Sequence, residues 1–368
     1  MRGGVKWGGL DGLRALAVLA VVGAHFRFLN LGAAIGVDLF FVLSGFLITS
    51  LLLREHQRTA TVSLRRFWIR RGLRLLPALA CGVLVALVVA RWATPEQRHE
   101  TWTGLPFVLF YFGNWARVAG GPFALGLLVH TWSLAIEEQF YFLWPLVMAC
   151  WLGTRALSYR RAATIMAVVA VGAALYNLYA FQHWGEAVAY FRTDTRSMGL
   201  LAGCALALAV RGRPESIVLS ARAKQVLRAG ALVAFGMFWF ICIFCSAQTG
   251  TAASLMYSGA TLSSVVLVAF AVLVSESYWV RLLSGRGPAW VGARSYGIYL
   301  YHYPLALVFV QAHVFHGGEH NVAVIVCILV TLLLAAVSHR WVETPFLRLK
   351  ERVAGEHTPT TQTLATLT

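Results

Sequence analysis

Arg14 and His25 stand eleven residues apart in one apolar run, Asp11-Gly-Leu-Arg14-Ala-Leu-Ala-Val-Leu-Ala-Val-Val-Gly-Ala-His25. Eleven residues bring a helix almost back to the same face, and its rise separates the two side chains by roughly 16 Å. A bilayer makes ionisable groups expensive, so a guanidinium and an imidazole on one membrane helix suggest a task. The plainer reading is an anchored helix, with Arg14 snorkelling to one interface and His25 resting at the other. Histidine is the side chain best suited to general-base work near neutral pH, and a carboxylate partner fixes its tautomer and raises its basicity.

Two carboxylates occur together in Thr131-Trp132-Ser133-Leu-Ala-Ile-Glu137-Glu138-Gln139-Phe-Tyr141, within a second apolar run. Neighbouring residues point about 100° apart on a helix, so the two cannot share one partner. One is expected to meet and orient His25, the other an arginine or a hydroxyl. A pair at the depth of a histidine favours a polar cavity over a packing ion pair. The run Arg65-Arg66-Phe-Trp-Ile-Arg70-Arg71-Gly-Leu-Arg74-Leu-Leu-Pro77 spaces residues 66, 70 and 74 by four, on one helical face. It reads equally as an interfacial helix on anionic lipid or as a cytoplasmic polyphosphate site, since guanidinium binds phosphate bidentately. Together these groups suit a transfer reaction. A charged donor enters from the cytoplasm, and an extended pantetheine arm of coenzyme A spans roughly the 16 Å from Arg14 to His25.

The elements that must position these groups are membrane helices. Of 368 residues 59% are hydrophobic and 12% charged, about half the charged share of soluble domains. The apolar runs are about 20 residues long, which excludes a β-barrel. The 13 Trp and 12 Tyr suit interfacial belts. The net charge of +16 does not indicate nucleic acid, because the arginines sit in short loops between apolar runs and no recognition module is visible. Six cysteines lie in or beside apolar runs with neither a disulfide framework nor metal-ligand spacing, so no metal is expected. No cleavable signal peptide is expected.

The predicted fold is all-α: a polytopic helical bundle of ten spans, near 8–28, 34–53, 74–93, 131–152, 161–181, 195–210, 227–246, 254–275, 290–314 and 321–340. With both termini cytoplasmic, only Arg27, Arg91, Arg98, Arg117, Arg192 and Arg196 of the 31 lysines and arginines fall outside. The stretch 103–116, broken by Pro106, Gly113 and Asn114, is expected to be re-entrant or interfacial, since a further crossing would invert every later loop. Residues 1–349 form one integral-membrane domain and 350–368 a polar, disordered tail; no soluble domain is expected. By depth, His25, Asp38, Glu137, Glu138, Asp194, Arg196 and His302 lie toward the outer side. Asp11, Arg14 and the basic run lie toward the inner side.

In order along residues 8–349, these stretches resemble the acyltransferase-3 family of bacterial membrane O-acyltransferases, which includes surface-polysaccharide O-acetylases and macrolide 3-O-acyltransferases. Arg14 followed by His25 matches its first motif. Gly36-Val-Asp38-Leu-Phe-Phe-Val-Leu-Ser44-Gly45-Phe, Phe67-x-x-Arg70-Arg71-x-x-Arg74-x-x-Pro77 and Trp132-Ser133-Leu-x-x-Glu137-Glu138-Gln139-Phe-Tyr141 match the next three. Asp194-Thr-Arg196-x-x-Gly199, Ser295-Tyr296-Gly-Ile-Tyr299-Leu-Tyr-His302-x-Pro304 and Glu343-x-Pro345 complete the set. The resemblance implies transfer of an acyl group, often acetyl, from acyl-coenzyme A to a hydroxyl of a saccharide, glycolipid or macrolide. It implies no bound cofactor and a place in the bacterial inner membrane. His25 is the expected base or acyl carrier, with Glu137 or Glu138 orienting it. Arg14, Arg70, Arg71 and Arg74 are expected to bind the donor. Trp132, Ser133 and Tyr299 are candidate oxyanion donors. Asp11, Asp38, Ser44, Asp194, Arg196, Ser295 and His302 are expected to support the site. Two readings of another class are a proton- or solute-coupled transporter, with His25, Asp38, Glu137 and Arg196 as relay groups, and a structural or lipid-sensing protein held by packing ion pairs.

Overall fold

A computed structural model describes residues 7–29, 35–120, 124–154, 157–245, 250–311 and 318–353. Every regular element in them is helical. The first three long helices are α1 (Gly8–His25), α2 (Gly36–Thr59) and α3 (Leu64–Val89). Two short helices follow, α4 (Pro95–Leu109) and α5 (Gly113–Gly120), and then α6 (Trp132–Thr154) and α7 (Tyr159–Trp184). The short α8 (Glu186–Ala189) and α9 (Thr193–Arg196) lead into α10 (Met198–Ala209), α11 (Ala221–Phe244) and α12 (Gly250–Leu273). The chain ends with α13 (Tyr278–Leu283), α14 (Arg286–Ala293), α15 (Ser295–Leu305), α16 (Gly318–Ser338) and α17 (Thr344–Val353).

Six of these helices are long and apolar enough to cross a membrane: α2, α3, α7, α11, α12, and α16 with its continuation to Leu349. Their outward faces are bare hydrocarbon. Val168, Val171 and Leu175 on α7, Leu232 and Val233 on α11, and Leu329 and Leu333 on α16 are all exposed. Lipid is the solvent that such faces match, while water would drive them together.

Helix α1 is the axis of the site. Its residues Leu13, Ala17, Val18, Ala20 and Val21 are buried, and it packs against α2, α13, α14 and α15. Helix α3 begins ten residues before the expected span. Ser63 caps it by accepting from the Arg66 amide at 3.4 Å, so the basic run and the apolar run form one rod. The 103–116 stretch forms the end of α4 and the start of α5, broken at Tyr111, whose φ is +57°. Helices α2 and α10 meet at van der Waals contact through glycine: a methyl at Gly45 would strike the Leu200 carbonyl, and one at Gly203 the Val42 carbonyl. The tail expected from 350 is still helical to Val353, and its remainder lies outside the described residues.

Candidate active site

A cavity of about 110 Å³ lies among α1, α2, α3, α6 and α15. Its wall includes Arg14, Ser44, Arg71, Arg74, Ser133, Glu137, Glu138, Ser295 and Tyr299, nine residues from five of the seven motifs. Tyr111, Tyr141 and Tyr296 line it as well. The basic run presents a different face from the one its four-residue spacing suggested. Arg71, Arg74 and Leu75 line the cavity, an i, i+3, i+4 set. Arg70 instead pairs with Glu55 of α2 at 3.0 Å, and Arg66 is exposed. The Arg70 guanidinium is held against α2 and is not among the residues that line the cavity.

The adjacent carboxylates diverge as helix geometry requires. Glu138 takes the Arg71 guanidinium side-on, with Nε 3.0 Å from Oε1 and 3.1 Å from Oε2, and Nη2 2.6 Å from Oε1. The same guanidinium lies over the Tyr141 ring, 3.0 Å from its centroid. Glu137 accepts from the Ser44 hydroxyl at 3.1 Å and from the Tyr141 hydroxyl at 3.2 Å. Arg14 is steadied by Asp11 one turn earlier, at 3.0 Å. Arg74 has no ion-pair partner among the described residues. The cavity thus holds one committed arginine, one tethered to its own helix, and one open cation.

His25 ends α1, half-buried, and the ring that orients it is His302 of α15. His302 Nδ1 lies 2.7 Å from the Tyr299 carbonyl and 3.2 Å from that of Ile298, so this nitrogen carries the proton. Its Nε2 is then the acceptor for His25 Nδ1–H at 3.0 Å, which makes Nε2 the basic nitrogen of His25. Sequence reasoning gave this orienting role to Glu137 or Glu138. The hydrogen bonds of those carboxylates run to Ser44, Tyr141 and Arg71. Tyr299 joins the two halves: its side chain lines the cavity, and its carbonyl holds His302.

Ser133 and Tyr299 close the inner end of the cavity with hydroxyls 2.6 Å apart, and Tyr299 donates onward to the His130 carbonyl at 2.7 Å. The His130 ring packs face to face on Tyr303 at 5.0 Å and edge-on to His302 at 5.7 Å. His130 is not among the residues that spacing and motif single out. Its signal was an imidazole in the apolar run immediately before Thr131-Trp132-Ser133. Among the described residues no group of three ligating side chains is arranged to hold a metal ion.

Asp38, Arg196, Asp194 and Trp132 are not among the residues that line the cavity. Asp38 and Arg196 form a pair at 2.9 Å, 1% and 0% exposed, with the guanidinium 4.1 Å from the Tyr257 ring centroid. Asp194 binds Arg192 at 2.7 Å and the Thr195 amide at 3.0 Å, near the start of α9. The Trp132 ring wedges between Tyr190 and Phe191. Gln139, the glutamine of the same motif, donates to the Tyr111 carbonyl at 2.8 Å and to Asn114 at 2.9 Å, and accepts from Thr193 at 2.6 Å. It ties α6 to the strained break between α4 and α5.

Residues 7–341 match the model of a family described as an acyltransferase domain. The chain belongs to this acyltransferase family. It is 36% identical over 354 residues to the YrhL protein of Bacillus subtilis, covering 92% of this chain and 54% of that one. It is 33% identical over 350 residues to the peptidoglycan O-acetyltransferase OatA of Listeria monocytogenes, covering 91% and 55%. The O-acetyltransferase OatA of Staphylococcus aureus is 35% identical over 347 residues, covering 92% and 56%. The chain therefore spans about half the length of these curated relatives. No solved structure matches it significantly. With these family relationships the six long apolar helices make the chain a multi-pass membrane protein, and nothing in them supports the transporter reading.

Proposed function

We propose that this protein is an O-acyltransferase of the bacterial inner membrane that moves an acetyl group from acetyl-coenzyme A to a hydroxyl of a cell-wall saccharide. The observation that carries this reading is the pairing of His25 with His302 at one end of α1, while the other end of α1 puts Arg14 into an arginine-lined cavity. The names of the relatives favour acetyl as the group and peptidoglycan as the acceptor class over a macrolide. The ten-span arrangement with both termini cytoplasmic belongs to the same proposal. It puts the arginine cavity on the side where coenzyme A is made and His25 toward the wall.

The donor's phosphates engage Arg74 and Arg14, with Arg71 held in place by Glu138 and Tyr141. The pantetheine arm runs along the cavity to Ser133 and Tyr299, whose hydrogen-bonded hydroxyls part to let the thioester reach His25, a residue outside the cavity lining. At its end the acceptor hydroxyl gives its proton to His25 Nε2 and attacks the thioester carbon. The carbonyl electron pair moves onto oxygen and returns, expelling the thiolate, which recovers the proton from His25. His302 holds the His25 ring in the correct tautomer and shares its positive charge, as the third group of a hydrolase triad does. A covalent acyl-histidine on the same nitrogen is the two-step variant.

Membranes containing the protein, incubated with labelled acetyl-coenzyme A and peptidoglycan fragments, are expected to place label on the saccharide. Failure of the label to leave coenzyme A for any hydroxyl acceptor would refute the reading. Two variant series refine it. Removing a charge-assisted contact is worth about 1.5–3 kcal/mol, roughly ten- to a hundredfold. Arg74→Ala should raise the KM for acetyl-coenzyme A by that factor, while Arg70→Ala stays within about twofold of wild type, since its partner is Glu55. Equal effects at 70 and 74 would overturn the assignment. His302→Phe should lower kcat by on the order of 10²-fold with the donor KM unchanged, because it removes orientation and not binding. A change confined to KM would contradict that role.

A further inference from the structure

Acyl transfer through a tetrahedral intermediate needs a hydrogen-bond donor for the carbonyl oxygen. The two hydroxyls nearest the inner end of the cavity are already committed: Ser133 donates to Tyr299, and Tyr299 donates to the His130 carbonyl. The ring of that same His130 is different. It is 3% exposed, and neither of its nitrogens makes a hydrogen bond to a described residue. The Leu300 carbonyl lies by the ring without meeting hydrogen-bond geometry; Pro304, four residues on, offers it no helical N–H. Buried polar groups in native proteins are overwhelmingly paired, and leaving one unpaired is destabilising, so an orphaned imidazole calls for a partner that arrives later.

Its surroundings locate that partner. His130 stacks on Tyr303 at 5.0 Å, and the edge of Tyr303 meets His25 at 4.9 Å. His130 also meets Tyr299 at 5.5 Å and His302 at 5.7 Å. The unpaired imidazole thus shares its packing partners with the base, beyond the Ser133–Tyr299 pair. Resting on the acyl-transfer reading above, we propose that the His130 N–H is the oxyanion donor, binding the thioester carbonyl oxygen of the donor. As the acceptor oxygen forms its bond to the carbonyl carbon, the C=O pair moves onto this oxygen. The hydrogen bond strengthens at that moment and relaxes when the pair returns and the thiolate leaves. A neutral imidazole can serve here, since it needs to supply only one N–H. His130 is therefore a catalytic residue, set across the carbonyl from His25.

The test uses the full chain in proteoliposomes with acetyl-coenzyme A. It also uses two unreactive ligands: a thioether that keeps the ketone (acetonyl-coenzyme A) and one without a carbonyl (propyl-coenzyme A). His130→Phe keeps the ring packing and removes the N–H; His130→Gln restores an N–H on a side chain of similar reach. Removing an oxyanion donor lowers kcat by roughly 10²–10³-fold. That loss is expected for His130→Phe with the KM for acetyl-coenzyme A within about threefold of wild type, and His130→Gln should recover at least about tenfold. Wild type should bind the ketone more tightly than the propyl ligand, and His130→Phe should bind the two alike. If His130→Phe fails to fold, His130→Leu is read the same way. Wild-type-like kcat and ketone preference in the variants would overturn the proposal while leaving the acyl-transfer reading intact. A wild type that binds neither ligand would refute the donor assignment and this proposal together.

Discussion

His25→Ala is expected to insert and fold as wild type does and to lose acyl transfer by about 10³-fold or more, to the background rate. General-base catalysis by a positioned side chain contributes roughly 10²–10⁴-fold, and the upper part of that range applies where water is excluded and nothing else can take the proton. The nearest other imidazoles do not substitute. His302 Nδ1 is held by the Tyr299 carbonyl, and with His25 gone its Nε2 lies a full ring farther from the transfer point. Folding is spared because His25 is the last residue of α1 and half-buried, while the helix is fixed by Leu13, Ala17, Val18 and Val21 beneath it. The measurement is label transfer from acetyl-coenzyme A by matched amounts of wild type and variant. Transfer within tenfold of wild type would end the assignment of His25 as base or carrier.

The largest stability effect is expected at the Asp38–Arg196 pair. Both groups are almost completely enclosed, and the guanidinium also lies against Tyr257 and Tyr190. Removing one partner leaves the other charge buried alone, which costs about 3–5 kcal/mol. Asp38→Asn and Arg196→Met should each lower the unfolding free energy in mixed micelles by that amount. The pair is not fully satisfied, since Arg196 Nε and Nη1 have no hydrogen-bond partner among the described residues. Replacing both residues, Asp38→Leu with Arg196→Met, should therefore recover most of the loss, because buried pairs exchange for packed hydrocarbon at little cost. The double variant should still transfer acetyl, since neither side chain is among those that line the cavity. A stable double variant without activity would move Asp38 and Arg196 from scaffold to chemistry.

Those two sites show what the sequence could and could not reveal. The bundle was legible because apolar runs of about 20 residues have one solution in lipid, and the arginine-to-histidine spacing on α1 follows from helical rise alone. The divergence of Glu137 and Glu138 was also legible, being a consequence of 100° per residue. What each carboxylate meets was not. Glu138 finds Arg71 because α3 is rotated so that residues 71 and 74 face inward, and that rotation is set by packing of Phe67, Leu75, Ala78 and Leu79. The same rotation carries Arg70 to Glu55, which spacing by four could not foresee. His302 reaches His25 only because α15 lies against α1, a contact between residues 277 apart. His130 escaped notice because an imidazole in a short apolar segment has no periodic signature; its meaning lies in missing hydrogen bonds, which only three dimensions reveal.

The most direct measurement is a structure of the protein with acetonyl-coenzyme A bound. The phosphates should lie at Arg14 and Arg74, and the ketone carbon should sit beside His25. There, a hydroxyl held about 2.6–3.2 Å from His25 Nε2 would stand roughly 3–3.5 Å from that carbon. A ketone resting instead among Glu137, Ser44 and Tyr141, with the Ser133–Tyr299 pair closed between it and His25, would contradict the mechanism.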